Sequence, residues 1–250
     1  MRKIMIFQKT ILQLALLFGV LIFTNSCNPS IATLIEKGKT TKAIDQIEKG
    51  SDPNEYDKKL KRTPLISAIK LNDVHLVKIL LDNGADPNNQ TPISYALNKR
   101  NIEIVELLIK KGADINASYT YDTYKELLNY TSSDQWSTKN KSIKGTPLIE
   151  ALHLNLTDNF ILFLIENGAN IDVMDSFDRT PLVFAVKNNR TEIVSNLVNL
   201  GANKNINYKY ISKTMTNAFG WDIAVEYSSI ALMDAAKSTG NLEIIKLLSK

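Results

Sequence analysis

The chain has 250 residues, 44% of them hydrophobic and 22% charged, an ordinary globular balance with enough length for a substantial core, which excludes a disordered or low-complexity chain. Its formal charge of +4 is concentrated at the start, because Arg2, Lys3 and Lys9 precede Cys27 with no acidic residue among them, and beyond Cys27 basic and acidic residues are almost equal in number. That near-neutral balance lacks the positive footprint that a phosphate backbone requires, so no nucleic-acid partner is expected, and a single cysteine excludes an internal disulfide.

The first element is an export signal over residues 1–26. A short basic segment is followed by the apolar run Ile11 to Phe23 and then by small or polar residues. The run is shorter than the roughly 20 residues of a spanning helix. The sequence Phe23-Thr24-Asn25-Ser26-Cys27 resembles a bacterial lipobox, with a small residue before the cysteine and Thr24 where leucine is usual. That resemblance implies lipidation of Cys27 and a lipid-anchored protein of the bacterial cell envelope, facing the periplasm or the cell surface. Acyl chains on Cys27 would supply the membrane binding that a cleaved signal removes.

Beyond residue 30 the chain repeats itself. The segments TPLISAIKLNDVHLVKILLDNGADPN from Thr63, TPISYALNKRNIEIVELLIKKGADIN from Thr91, TPLIEALHLNLTDNFILFLIENGANID from Thr146 and TPLVFAVKNNRTEIVSNLVNLGANKN from Thr180 share one grammar. Each opens on Thr-Pro, where the hydroxyl can cap backbone donors and proline suits the first helical position. Each closes on Gly-Ala-(Asp/Asn), where glycine takes the left-handed conformation that ends a helix. In between, apolar residues such as Leu76, Val77, Leu80 and Leu81 recur on one helical face. The unit is a helix, a turn, a second helix and a loop.

These motifs resemble the ankyrin repeat: Thr-Pro-Leu, the small residue at Ala68, Ala96, Ala151 and Ala185, and Gly-Ala-Asp-x-Asn fall in order. The fold expected is an all-α ankyrin solenoid in 27–250, with about six repeats near 31–55, 61–88, 90–116, 144–172, 178–205 and 229–250. The first and last lack Thr-Pro, as end repeats with a water-facing side do. The glycine usual between the two helices is replaced by Asn72, Arg100, Asn155 and Asn189; asparagine visits the left-handed region readily and arginine does not, which sets the third unit's turn apart. Only Asn89 and Gln90 separate Asn88 from Thr91, an unusually short connection.

Two long insertions, 117–143 and 206–228, interrupt the repeat at the same place, after the second helix. In the ankyrin family that loop is a hairpin finger beside the concave binding groove. Seven of the nine tyrosines and both tryptophans lie in or beside these segments, and such side chains are enriched at interface hot spots. Candidate partner contacts there are Tyr119, Tyr121, Tyr124 and Trp136 in the first finger and Tyr208, Tyr210 and Trp221 in the second. The alternative is that these aromatics only tack the fingers onto the stack. By the same resemblance the ends of the first helices line the groove with Lys70, Lys99, His153 and Lys187, joined at the finger bases by Arg62 and Arg179. That basic lean suits an acidic or carbonyl-rich partner surface.

No nucleophile elbow, phosphate loop or ligand-spaced histidine cluster appears, so neither metal nor cofactor is expected. The function implied is a membrane-tethered scaffold that binds a protein partner through the groove and fingers. The alternative is an enzyme or enzyme-regulatory subunit of the envelope, its site formed by the insertions from carboxylates such as Asp122, Glu126, Asp134, Asp222 and Glu226.

Overall fold

The computed structural model describes residues 29–121, 143–216 and 222–249. They form six helix pairs: α1 (Ile31–Glu36) with α2 (Thr40–Glu48), α3 (Pro64–Leu71) with α4 (Val74–Asp82), α5 (Pro92–Asn98) with α6 (Ile102–Lys110), α7 (Pro147–His153) with α8 (Asp158–Glu166), α9 (Pro181–Lys187) with α10 (Thr191–Asn199), and α11 (Leu232–Thr239) with α12 (Leu242–Ser249). The first helix of each pair packs on the first helix of the next, which makes an inner layer, and the second helices form an outer layer. The core runs unbroken between the layers. Ala68, Ala96, Ala151 and Ala185 are fully buried where inner helices meet, and Leu80 and Leu197 are fully buried on the outer helices. Small residues on the inner helices let the backbones approach, while leucines fill the space between the two layers.

The Thr-Pro start works as a cap in two of the four places. Thr63 Oγ1 accepts from Ile66 N at 3.4 Å and Thr180 Oγ1 from Val183 N at 3.5 Å, whereas neither Thr91 nor Thr146 makes a side-chain cap bond. For Thr91 the reason is the short connection before it. Gln90 (φ 63°) and Thr91 (φ 53°) both turn left-handed to close the gap, which takes the threonine out of the extended conformation of a capping residue. The Gln90 side chain takes up part of the role of the missing loop, accepting from Thr63 N at 3.1 Å.

The turn between paired helices uses a left-handed residue in every full unit, Arg100 included: φ is 60° at Asn72, 54° at Arg100, 53° at Asn155 and 55° at Asn189. Arginine therefore does not set the third turn apart, because its guanidinium compensates by donating to the carbonyl of Leu154 in the following unit at 3.0 Å. The other three turns are tied across units too, Asn72 Oδ1 by Asn101, Asn155 Oδ1 by Arg190 and Asn189 Oδ1 by Asn241. Gly84, Gly112, Gly168 and Gly201 all have φ near 90°, and nothing stands within 4 Å of where a Cβ would sit, so backbone conformation alone requires glycine there.

The asparagine that closes each motif explains itself in three dimensions. Asn88 Nδ2 donates to Gly112 O at 3.0 Å and its Oδ1 accepts from Asp114 N at 2.8 Å. Asn54 and Asn116 make the same two bonds, to Gly84 O and Asp86 N and to Gly168 O and Asn170 N respectively. Each amide thus clips one unit to the next. In the following unit the position is Asp172, which accepts from Asn203 N at 2.9 Å but has no donor to offer.

The fingers are antiparallel hairpins. The first insertion leaves and rejoins the stack as β1 (Tyr119–Tyr121) paired with β2 (Ile143–Gly145). In the second, the described strands are β3 (Asn207–Thr216) and β4 (Asp222–Ala231), paired with breaks in register at Ile211/Lys213 and Met215/Thr216. Strand β4 runs directly into α11, so the finger continues three residues past the expected end of the insertion at 228.

Candidate functional site

Each inner helix is ended by a left-handed turn, and the predicted groove residues stand at or just before that turn. Lys70, Lys99, His153 and Lys187 occupy these ends and are all exposed. These residues stand at equivalent positions, one per unit.

The predicted aromatics divide. Tyr119 and Tyr208 are buried, at 7% and 4% exposure, so they pack rather than present a free surface. The physical reason is that both stand at the root of a finger, where the strand leaves the stack. Tyr119 donates through its hydroxyl to Glu150 Oε2 at 2.6 Å, and the Tyr208 ring lies 5.8 Å from Lys187 Nζ. Tyr121 and Tyr210 are placed by their backbones opposite Ile143 and Ser228. Cys27, Tyr124, Trp136 and Trp221 lie outside the described residues.

Between the two long fingers stands a short loop, residues 173–179, which joins them. Lys144 N on β2 donates to Ser176 Oγ at 3.0 Å, Lys209 N on β3 donates to Phe177 O at 2.9 Å, and Lys209 Nζ pairs with Asp178 at 2.7 Å. The finger bases are thus parts of one wall over units three to five, not two separate arms.

Beneath that wall lies a preorganised cation. Arg179 is gripped by Asp175, whose carboxylate is fully buried, through Nε at 2.7 Å and a second guanidinium nitrogen at 2.6 Å. Asp175 Oδ1 also accepts from Phe177 N and Arg179 N, so the carboxylate holds loop and guanidinium together. The guanidinium carbon sits 4.9 Å from the Phe177 ring centroid and 4.7 Å from that of Phe184, close enough for cation–π attraction to both. His153 meets the Phe184 ring edge-on at 6.0 Å. Although His153 keeps part of its surface in water, its ring is crowded by neighbouring protein, and that, then the Arg179 cation, holds the imidazole's pKa down to about 4, with Lys187 adding to the effect and Asp175 opposing it. His153 is therefore neutral at physiological pH.

Arg179 was expected at a finger base, but not the groups that fix it. Glu150, Asp175, Phe177 and Phe184 were missed. Glu150 is the one with a legible signal, a carboxylate next to Ala151 at a place where the other units carry Ser67, Tyr95 and Phe184. It is buried and accepts from Asn98 Nδ2 at 2.9 Å and Ser94 Oγ at 3.3 Å as well as from Tyr119. Among the described residues, no three of histidine, cysteine, aspartate and glutamate gather where they could hold a metal ion. No described helix is long and apolar enough to cross a membrane.

Paired helices stacked in two layers, left-handed turns and hairpin fingers over the inner helices define an ankyrin-repeat solenoid. A family model for ankyrin repeats in three copies matches residues 30–119 and again 117–208, and the chain belongs to that family. A protein named for its ankyrin repeats, FPV230 of Fowlpox virus (strain NVSL), is 26% identical over 160 residues, 57% of this chain and 84% of the relative. The crystal structure of the human ASB11 ankyrin repeat domain superposes with a TM-score of 0.53 at 21% identity, over 89% of this chain and 83% of that one, which is a likeness of fold. Ankyrin repeats generally mediate protein–protein interaction.

Proposed function

We propose that this chain is a protein-binding module held at a membrane through Cys27, and that its partner docks between the inner-helix ends and the wall of fingers over units three to five. The observation that carries the docking site is the Arg179 group. A guanidinium held by a buried carboxylate and within cation–π distance of two phenylalanines fixes the loop that joins the finger bases, so the surface around it is shaped before a partner arrives. With Lys187 beside it and Lys70 and Lys99 at the equivalent positions of earlier units, the surface favours a partner that offers carboxylates or carbonyls.

Cross-linking of a tagged full-length chain in its native membranes, followed by identification of what it captures, tests this reading. Capture should fall when Lys187 and Arg179 are replaced singly by glutamine, and a captured protein indifferent to both changes would refute the site.

The tether is supported by the sequence around Cys27 alone. Labelled palmitate should enter the wild-type chain in a bacterial host and not the Cys27→Ala variant. Detergent partitioning by an unlabelled variant would point instead to an uncleaved helical anchor.

A further inference from the structure

The most basic stretch of the described chain, Lys58-Lys59-Leu60-Lys61-Arg62, lies in the loop between the first two units, beside the point where the chain enters the solenoid. The loop is rigid. Asp57 N donates to Arg62 O at 3.0 Å, and Asp57 Oδ1 accepts from Lys59 N and Leu60 N, each at 2.9 Å. The other carboxylate oxygen is held by the hydroxyl of Ser30, which caps α1, and by that of Thr33 at 2.6 Å. One buried carboxylate therefore ties the lysine loop to the first residues of the described chain. Lys58, Lys59 and Lys61 are exposed, and Tyr56 beside them is 48% exposed. Arg62 is spent on Glu36 at 2.9 Å, while Glu55 and Asp52 lie at the foot of the loop, so the excess of positive charge is at its tip.

The equivalent loop of the fourth unit gives an internal comparison. It is closed in a similar way but is one residue shorter, with Asp175 N donating to Arg179 O and Asp175 Oδ1 accepting from Phe177 N and Arg179 N, and Ser176, Phe177 and Asp178 fill the span that Lys58 to Lys61 fill in the first loop. That closure does not need lysine. The three lysines occur on the copy nearest the N-terminus.

We infer that this loop is a second membrane contact, in which Lys58, Lys59 and Lys61 bind anionic lipid headgroups next to the anchor. The inference rests on the tether reading for its geometry. Only Asn28 and Pro29 separate Cys27 from Ser30, so the anchor and the Asp57-bound cap are at most about 11 Å apart along fully extended chain. A solenoid held that closely presents its first unit to the headgroups, and lysines near a negatively charged surface are attracted individually and additively. A lipid chain with a basic patch is also a more durable attachment than a lipid chain alone.

The test is lysine footprinting on the full-length chain reconstituted in vesicles of phosphatidylcholine, with and without phosphatidylglycerol. Acetylation of Lys58, Lys59 and Lys61, read by mass spectrometry, should slow roughly threefold or more on the anionic vesicles. Lys246 in the last unit should not change. High salt, where the screening length shrinks to about 3 Å, should abolish the difference. In a Lys58→Gln/Lys59→Gln variant the slowing at Lys61 should shrink. Equal rates on the two kinds of vesicle overturn the proposal. So does protection seen in native membranes but not on anionic vesicles, which would assign the loop to an acidic protein. If the chain fails to stay on neutral vesicles, the tether reading falls by itself. A salt-sensitive, lysine-dependent slowing on anionic vesicles would then still support the loop.

Discussion

The phenol of Tyr119, at the root of the first finger, donates a 2.6 Å hydrogen bond to Oε2 of Glu150, a buried carboxylate on the inner helix of the next unit. The bond fixes the angle at which the finger leaves the stack. Tyr119→Phe removes a donor to a buried acceptor while keeping the ring, and should cost about 1 to 3 kcal/mol, measured as a shift of the urea midpoint at unchanged slope. A midpoint equal to wild type would mean that the ring packing alone places the finger.

Asp57 gives the fold a specific response to acid. Hydrogen bonds from Ser30 first and Thr33 next lower its pKa from 3.8 to about 2. A carboxylate held below its unfolded value stabilises the fold fully above about pH 4 and loses that contribution as pH falls through 3.8 towards 2. Asp57→Asn should destabilise by about 1 to 2 kcal/mol at neutral pH. The gap between variant and wild type should close in thermal melts as the pH approaches 2. A gap that stays constant across this range would show that the aspartate's charge plays no part.

Asp172 should be improvable. It occupies the place of the clip asparagines but supplies only the acceptor for Asn203 N. Asp172→Asn adds the amide donor that Asn88 and Asn116 point at the glycine carbonyl of the next unit, here Gly201. The expected gain is about 0.5 to 1 kcal/mol in chemical denaturation, and Asn116→Ala should lose a comparable or larger amount.

Lys70 and Lys99 are exposed groove positions outside the core. Reversing both, Lys70→Glu with Lys99→Glu, should change stability by less than about 0.5 kcal/mol and slow association with the captured partner, an effect that weakens as salt is raised. Unchanged association kinetics would confine the site to units four and five.

The stack was legible because its signals are local and repeated. Thr-Pro, the buried alanine and Gly-Ala-Asp each report one backbone conformation or one close contact, and each recurs. Arg100 was misjudged because a propensity argument sees the strain of a left-handed arginine but not the carbonyl of Leu154, 54 positions away, that its side chain reaches. The fingers were legible as insertions and as aromatic-rich. Which tyrosines pack was not, since burial of Tyr119 and Tyr208 depends on where a strand leaves the stack. The Asp175–Arg179 pair is close in sequence, but its value comes from Phe184 on another element, and no spacing rule records that.

The turn at Asn88–Thr91 has a use in engineering. Two consecutive non-glycine residues are left-handed there, each at a cost of about 1 to 3 kcal/mol, because the chain is too short to build a loop. Every other junction in the chain carries one. The longer loops before Thr63 and Thr180 carry a single left-handed non-glycine residue each, Lys61 and Asp178, so a grafted hairpin at this slot should remove one of the two strained positions. It would also lengthen the recognition surface by one unit towards the N-terminus.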